Sequence, residues 1–384
     1  MKTRRRNYDD DGKDRISVLR DCILRRPNCK DRLSYLPDCL LLEILSNLNV
    51  KQAVQMSILS PRWKNLWKHM SVVSLNYRFS FETLESITNF VSQFLSLRDD
   101  KTDTQTLIFY CPVYIESHLL ERILNYTFSH HVQQLDMSVA CNIRQFPLCN
   151  FSYHTLTSLK LTSCNKLDGS PRPLFPNSLI LPALTHLSIG LFAFHRSCTT
   201  SEDHNDVEPF SVFKSLNTLI IQLCNVRNPL EDTLFISSVS LANLTIAMPS
   251  NAYKFKLCTP NLCSFEFLGK PLQNLRGRNC NNSCSFSSFK HAKIRLPFGT
   301  VLANCPFPPI LFNWLVELAL MESLTISSKT LQILNLIPDS WKIDFPYLHN
   351  LKLLKIETDG LSVPNGIVDF LLQNSPSAKK VIKY

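Results

Sequence analysis

Glycine is scarce in this chain, with eight residues in 384, about 2% against an average near 7%. None of them forms the Gly-rich loop whose backbone N–H groups cradle phosphates, or the spaced glycines of a dinucleotide turn. Nucleotide chemistry is therefore unsupported. No run approaches the roughly 18 apolar residues that cross a bilayer. The amino terminus, MKTRRRNYDDDGKDR, is charged where a secretory signal would have an apolar core. The expectation is a soluble intracellular protein, cytoplasmic, nuclear or both, with no membrane partner. There is also no His-Glu-x-x-His segment and no nucleophile elbow, and Cys280 and Cys284 have no second ligand pair for zinc. No catalytic residue, metal or cofactor is expected, and function must rest on binding.

A net charge of +10 raises the question of nucleic acid, because clustered Lys and Arg release counterions from phosphate backbones. The cations here are dispersed. Lys2, Arg4, Arg5 and Arg6 form the only dense block, and Asp9, Asp10 and Asp11 follow at once, the pattern of a self-screened tail. No nucleic-acid partner is expected. Fourteen cysteines are scattered along the chain without a secretory signal, so they read as reduced thiols packed like small hydrophobes.

What the chain has in quantity is leucine in patterns. Residues 31–70 hold three short amphipathic helix signals. The first opens at Pro37 and sets Leu40, Ile44 and Leu48 on one face with Leu41 and Leu45 beside them. The second runs from Lys51 to Leu59 with Ala53, Val54, Ser57 and Ile58 at helical spacing. The third restarts at Ser60-Pro61 and stacks Trp63, Leu66 and Trp67. Forty residues cannot bury so much apolar surface alone, so this unit needs a partner.

The stretch resembles the F-box, in the form found in plant F-box proteins, through Asp31-Arg32-Leu33, Leu36-Pro37, Leu41, Glu43-Ile44-Leu45, Leu59-Ser60, Arg62-Trp63 and Leu66-Trp67. In that family the domain docks on the Skp adaptor of a Skp-cullin-F-box ubiquitin ligase. Carried over by position, the resemblance implies an adaptor contact through Leu36, Pro37, Leu41, Ile44, Leu45, Leu59, Trp63, Leu66 and Trp67. It also implies a cullin as indirect partner and a role without catalysis.

From about residue 104 the pattern apolar-x-x-apolar-x-apolar recurs, and fixed-period self-similarity marks a solenoid. The clearest copy is Leu156, Leu159, Leu161, Cys164 and Leu167. Others start at Thr104, Val132, Leu184, Leu216, Leu241, Leu262, Phe289, Leu315 and Leu348. The last two apolar positions lie two apart, so both point inward from a short strand and neighbouring copies stack into a parallel sheet. The expected fold is α/β: an all-helical F-box followed by a leucine-rich-repeat solenoid, its sheet on the concave face and helices or irregular turns on the convex one. The divisions expected are a tail over 1–29, the F-box over 30–72, a linking helix and loop over 73–103, and repeats with a carboxy-terminal cap over 104–384.

Outward strand positions then supply the candidate target surface. They include Ser158 and Lys160, His186 and Ser188, Asn243 and Thr245, the trio His291, Lys293 and Arg295, and Asn350 and Lys352. Lys160, His291, Lys293, Arg295 and Lys352 are candidate target-binding residues, and the cationic trio suits an acidic or phosphorylated segment. The leading expectation is a substrate-recruiting subunit that holds an unknown target protein for ubiquitination. The alternatives are a ligase-independent scaffold and a small-molecule receptor, and the second of these lacks a dense Arg cluster for a polyanionic cofactor.

Overall fold

Apolar residues at every second position, bracketed by polar ones, dictate how most of the chain folds. A computed structural model describes residues 33, 36–77, 83–98, 102–140, 154–164, 172–176, 179–195, 206–228, 231–248, 253–275, 286, 288–297, 306–343, 345–358 and 360–383. The charged amino-terminal tail, Asp31, Arg32, Leu167, Cys280 and Cys284 lie outside them. Two compact units divide at Met70.

In the first unit, helix α1 (Asp38–Ser46) begins after extended Pro37 and carries Asp38 in its first turn, where a carboxylate meets the positive end of the helix dipole. Helix α2 (Val50–Gln55) is held by a capping box. The Gln52 N–H donates to Asn49 Oδ1 at 2.9 Å and the Asn49 N–H donates back to Gln52 Oε1 at 3.3 Å. A 3₁₀ turn (Met56–Ile58) follows. The third helix expected from Ser60-Pro61 is instead a run of turns ending in a single 3₁₀ segment, Leu66–His69. Trp63, Leu66 and Trp67 are nevertheless all buried.

Among the described residues the second unit has seventeen strands. The first five are β1 (Val72–Asn76), β2 (Thr106–Tyr114), β3 (Gln134–Ala140), β4 (Ser158–Ser163) and β5 (His186–Gly190). Next come β6 (Ala193–Phe194), β7 (Asp206–Val207), β8 (Thr218–Gln222), β9 (Asn225–Val226), β10 (Thr233–Ser237), β11 (Asn243–Met248) and β12 (Lys254–Cys258). The series closes with β13 (Ser264–Gly269), β14 (His291–Arg295), β15 (Ser323–Ser327), β16 (Leu353–Glu357) and β17 (Lys379–Lys383). Twelve of them form one sheet in the order β1-β2-β3-β4-β5-β8-β11-β13-β14-β15-β16-β17, and every neighbouring pair is parallel. The inward residues, such as Leu159 and Leu161, Leu244 and Ile246, or Leu324 and Ile326, are buried. The carbonyl just before one strand often accepts two N–H groups from the next copy, as Thr157 O does from Thr185 and His186. That pairing fixes the register of the stack.

Five expectations need correction. The sheet does not start at residue 104, because β1 precedes it and pairs with β2. The expected linking helix is α3 (Leu84–Leu97), capped by Thr83 and Ser86, and it packs against α4 (Ser117–Ser129) as the return segment of the first copy. The copy read at Leu315, Leu318 and Leu320 is α5 (Phe307–Glu317) and the turn after it, and its strand lies six residues on, at β15. Helical and repeat spacings share the i, i+3 step, and Pro308 and Pro309 in the first turn favour the helix.

The copy at Leu348, Leu351 and Leu353 is out of register by three, for Leu354 and Ile356 are the buried pair. Asn350 and Lys352 therefore precede the strand rather than face outward from it. Finally, α8 (Asn365–Gln373) does not end the sheet, since β17 adds a twelfth strand beyond β16.

Among the described residues the return side is less helical in the middle copies, yet it is more ordered than the irregular turns expected there. Strands β7, β10 and β12 form a small parallel sheet of their own, and β6 pairs with β9. Two more short helices, α6 (Ser328–Leu334) and α7 (Asp339–Lys342), follow β15. Aromatic rings fill the space between. Trp314 of α5 lies 4.8 Å from the Phe267 ring and 5.9 Å from Phe255, both edge to face.

Candidate functional site

Two surfaces carry the candidate residues, one on each unit. On the first unit the structure divides the adaptor set. Leu41, Leu45, Trp63, Leu66 and Trp67 are buried in the folded chain. They shape the unit rather than offer themselves. Pro37, Ile44 and Leu59 are exposed and Leu36 is half-buried. Two further aliphatics join them: Leu40 at 42% exposure and Ile58 at 84%. The helical spacing put Leu40 beside Ile44, but it also put Ile58 on the same face as buried Ala53. The 3₁₀ turn after Gln55 breaks that face and swings Ile58 outward.

Arg62 braces the start of the unit. Its Nε donates to Asp38 Oδ1 at 3.0 Å, its Nη2 to the same oxygen at 2.6 Å, and Nη2 also donates to the Leu36 carbonyl. One guanidinium thus fastens the Leu36-Pro37-Asp38 corner to the turns that carry Trp63. Arg62 was legible only as part of the family pattern, because a long-range ion pair leaves no local signal.

On the second unit, the register aligns one outward residue from each main strand in a row: Ser74, Ile108, Asp136, Lys160, Ser188, Ile220, Thr245, Glu266, Lys293, Thr325, Lys355 and Val381. The expected outward positions on β4, β5, β11 and β14 hold. The charges, however, are largely paired. Lys160 Nζ donates to Asp136 Oδ2 at 2.8 Å. Glu266 Oε1 receives Lys293 Nζ at 3.1 Å and Arg295 Nη2 at 2.7 Å, while Glu357 stands 4.0 Å from Lys293 and 3.9 Å from Lys355. Sequence reasoning counted the cations on one strand and missed the carboxylates on its neighbours, which only the register brings alongside.

Lys352 Nζ donates to Glu322 Oε2 at 2.7 Å, and that hydrogen bond holds the Glu322 carboxyl below the usual carboxylate range. His291 is exposed at the start of its strand. Cys224 is fully buried and Cys164 half-buried, and burial pushes both thiols up, Cys224 to about 12. Neither is set up as a nucleophile. Among the described residues no His, Cys, Asp and Glu cluster could hold a metal, and no helix is long and apolar enough to cross a membrane.

Folding thus gives an α/β molecule with a small helical unit ahead of a parallel-strand, leucine-rich-repeat sheet. Residues 33–75 match the F-box domain family. The chain is 34% identical to F-box/LRR-repeat protein 13 of Arabidopsis thaliana over 42% of its own length and 33% of that protein's. It is 26% identical to a putative F-box/LRR-repeat protein of the same plant, over 98% of this chain and 73% of that one. A putative F-box/FBD/LRR-repeat protein of Arabidopsis thaliana is 30% identical over 66% of this chain and 47% of its own length. The chain therefore spans about a third of the first of these relatives. The F-box match and these relatives support the plant F-box/leucine-rich-repeat family.

Proposed function

We propose that the protein is a substrate-recruiting subunit of a Skp-cullin-F-box ubiquitin ligase. One observation carries this reading: the unit that matches the F-box leaves Leu40, Ile44, Ile58 and Leu59 in solvent. Large aliphatic side chains in water are unfavourable, and burying one such side chain on a partner is worth roughly 1.5–3 kcal/mol. The unit has the apolar surface that an adaptor would cover. The outward face of the repeat sheet is the surface left for a target.

In this role the chain breaks no bond. It holds a target near the ubiquitin-charged enzyme and so converts a bimolecular encounter into a tethered one, where local concentration and orientation set the rate. The setting is the cytosol, the nucleus or both, where such ligases work.

The test is co-purification of the full chain with a plant Skp adaptor and cullin, beside an Ile44→Ala, Ile58→Ala, Leu59→Ala variant. Those three residues are exposed, so the variant should stay folded. Capture by the native chain and its loss in the variant are expected. A folded native chain that captures no adaptor would overturn the ligase role in favour of a ligase-independent scaffold.

A further inference from the structure

The outward sheet face is not uniform along its length. The first seven main strands, β1 to β5, β8 and β11, present one carboxylate and one cation, Asp136 and Lys160, and these two neutralise each other. Hydroxyls, amides, aliphatics, the His186 imidazole and the rings of Tyr110 and Tyr114 make up the rest. The last five strands, β13 to β17, present Lys293, Arg295, Lys355, Lys379 and Lys383 against only Glu266 and Glu357. Two carboxylates serve the three cations on β14 and β16. Among the described residues neither Lys379 nor Lys383 has an acidic partner.

We infer that the outward face of β13 to β17 is a docking zone for an extended, carboxylate-rich segment of a protein partner; this rests on the reading of the outward face as the target surface. Charge decides the occupant. An excess of fixed cations at the end of an otherwise neutral sheet draws a negative partner, and paired cations keep donor capacity, since an ammonium has three N–H donors and a guanidinium five. Lys293 and Lys355 lie two strands apart, about 10 Å at the usual strand spacing. Acidic side chains two or three residues apart in an extended peptide can reach both.

The same face disfavours nucleic acid. Among the outward residues of β13 to β17 the His291 imidazole is the one ring a base could stack on, with no Phe, Tyr or Trp beside it, and Glu266 and Glu357 stand among its cations where a phosphodiester backbone would run. A peptide of mixed sequence can place a neutral or basic residue opposite them.

The probe is a fluorescein-labelled extended peptide of alternating Glu and Ser, read by anisotropy with the full chain at low salt and at 0.3 M salt. Lys293→Glu with Lys355→Glu should weaken binding at least tenfold, and so should Lys379→Glu with Lys383→Glu on the exposed last strand, where folding is not at stake. Glu266→Gln should tighten it severalfold, because it frees the donors of Lys293 and Arg295. Lys160→Glu should change it less than twofold.

Equal binding by the native chain and both reversal pairs would overturn the inference, as the +10 net charge would then suffice. A single-stranded RNA of equal charge that binds the zone tighter than the peptide would overturn it too. Adaptor capture is measured on the same samples. If it persists while the peptide fails to bind, only the docking zone falls; if it is lost while the reversal pairs still discriminate, only the adaptor reading falls.

Discussion

Replacing Trp314 with alanine should destabilise the repeat unit more than any other single aromatic truncation in the carboxy-terminal copies. The indole is fully buried and meets Phe255, Phe265 and Phe267 at ring separations of 5.9, 6.0 and 4.8 Å. Its Nε1 donates to the Gln273 carbonyl at 2.8 Å. Truncating a buried Trp costs about 3–5 kcal/mol through lost transfer energy and the cavity left behind. The stranded Gln273 carbonyl adds roughly 1 kcal/mol, for a total near 4–6 kcal/mol.

That is much of the ~5–15 kcal/mol by which a domain is stable. Trp314→Phe keeps a ring in the aromatic cluster and loses the donor, so a loss of about 1–2 kcal/mol is expected. Trp341→Ala is the internal control, since that ring is 44% exposed. The assay is urea unfolding at 25 °C, followed by far-UV circular dichroism. If Trp314→Ala cost under about 1 kcal/mol, the scale of a surface change, or no more than Trp341→Ala, the packing argument would be wrong.

The division of the F-box set predicts a split between affinity and stability. Ile58→Ala should weaken adaptor binding about tenfold or more and leave the thermal midpoint near the native value, whereas Leu45→Ala should lower the midpoint by an amount equivalent to about 2–5 kcal/mol; equal melting shifts in calorimetry would defeat the assignment. Asp38→Ala removes the carboxylate acceptor of Arg62 and leaves its bond to the Leu36 carbonyl, and because the ion pair is largely exposed it should cost at most about 1 kcal/mol of stability; a larger drop in the urea midpoint would show that the brace carries more than its solvent exposure allows.

Burial raises the Cys111 and Cys224 thiols from an ordinary 9.0 to about 11 and about 12. The unfolded chain ionises first, so stability should hold below about pH 9 and fall as pH rises toward 11 and 12, by up to ~1.4 kcal/mol per pH unit for each thiol. Urea midpoints taken along that range should lose part of this slope in Cys224→Ala, and an unchanged slope would refute the linkage. Gly269 leaves only 3.2 Å between an added Cβ and the Met248 carbonyl oxygen and 3.0 Å to the Phe267 ring. Gly269→Ala should therefore be less stable than Gly190→Ala, whose nearest neighbour is the Thr162 side chain, and a thermal shift assay would show the reverse order if backbone crowding does not matter.

The amino-acid order alone determined the inward pairs of most copies, from Leu107 and Phe109 to Ala292 and Ile294, because a two-residue alternation is a local property and burial follows it directly. It also determined the linking helix α3, whose apolar face repeats at 3.6 residues, and the apolar character of the F-box segment. Where local spacing was degenerate it failed. The leucines around 315 suit a helix as well as a repeat, and the run from Leu348 to Ile356 satisfies the repeat in two registers. In both places the buried core made the choice, by which side chains it could cover.

Long-range pairing belongs to the tertiary structure for the same physical reason. Glu266 and Lys293 are twenty-seven residues apart in the sequence and adjacent in the register, so the charge of the outward face, unlike its location, follows from the stacking of strands. The exposure of Ile58 follows from the end of α2 at Gln55, and the bracing of Leu36 by Arg62 from how the turns after Ser60 fold back. The sequence carried the periodicities; the packed chain decided which side of each was left for a partner.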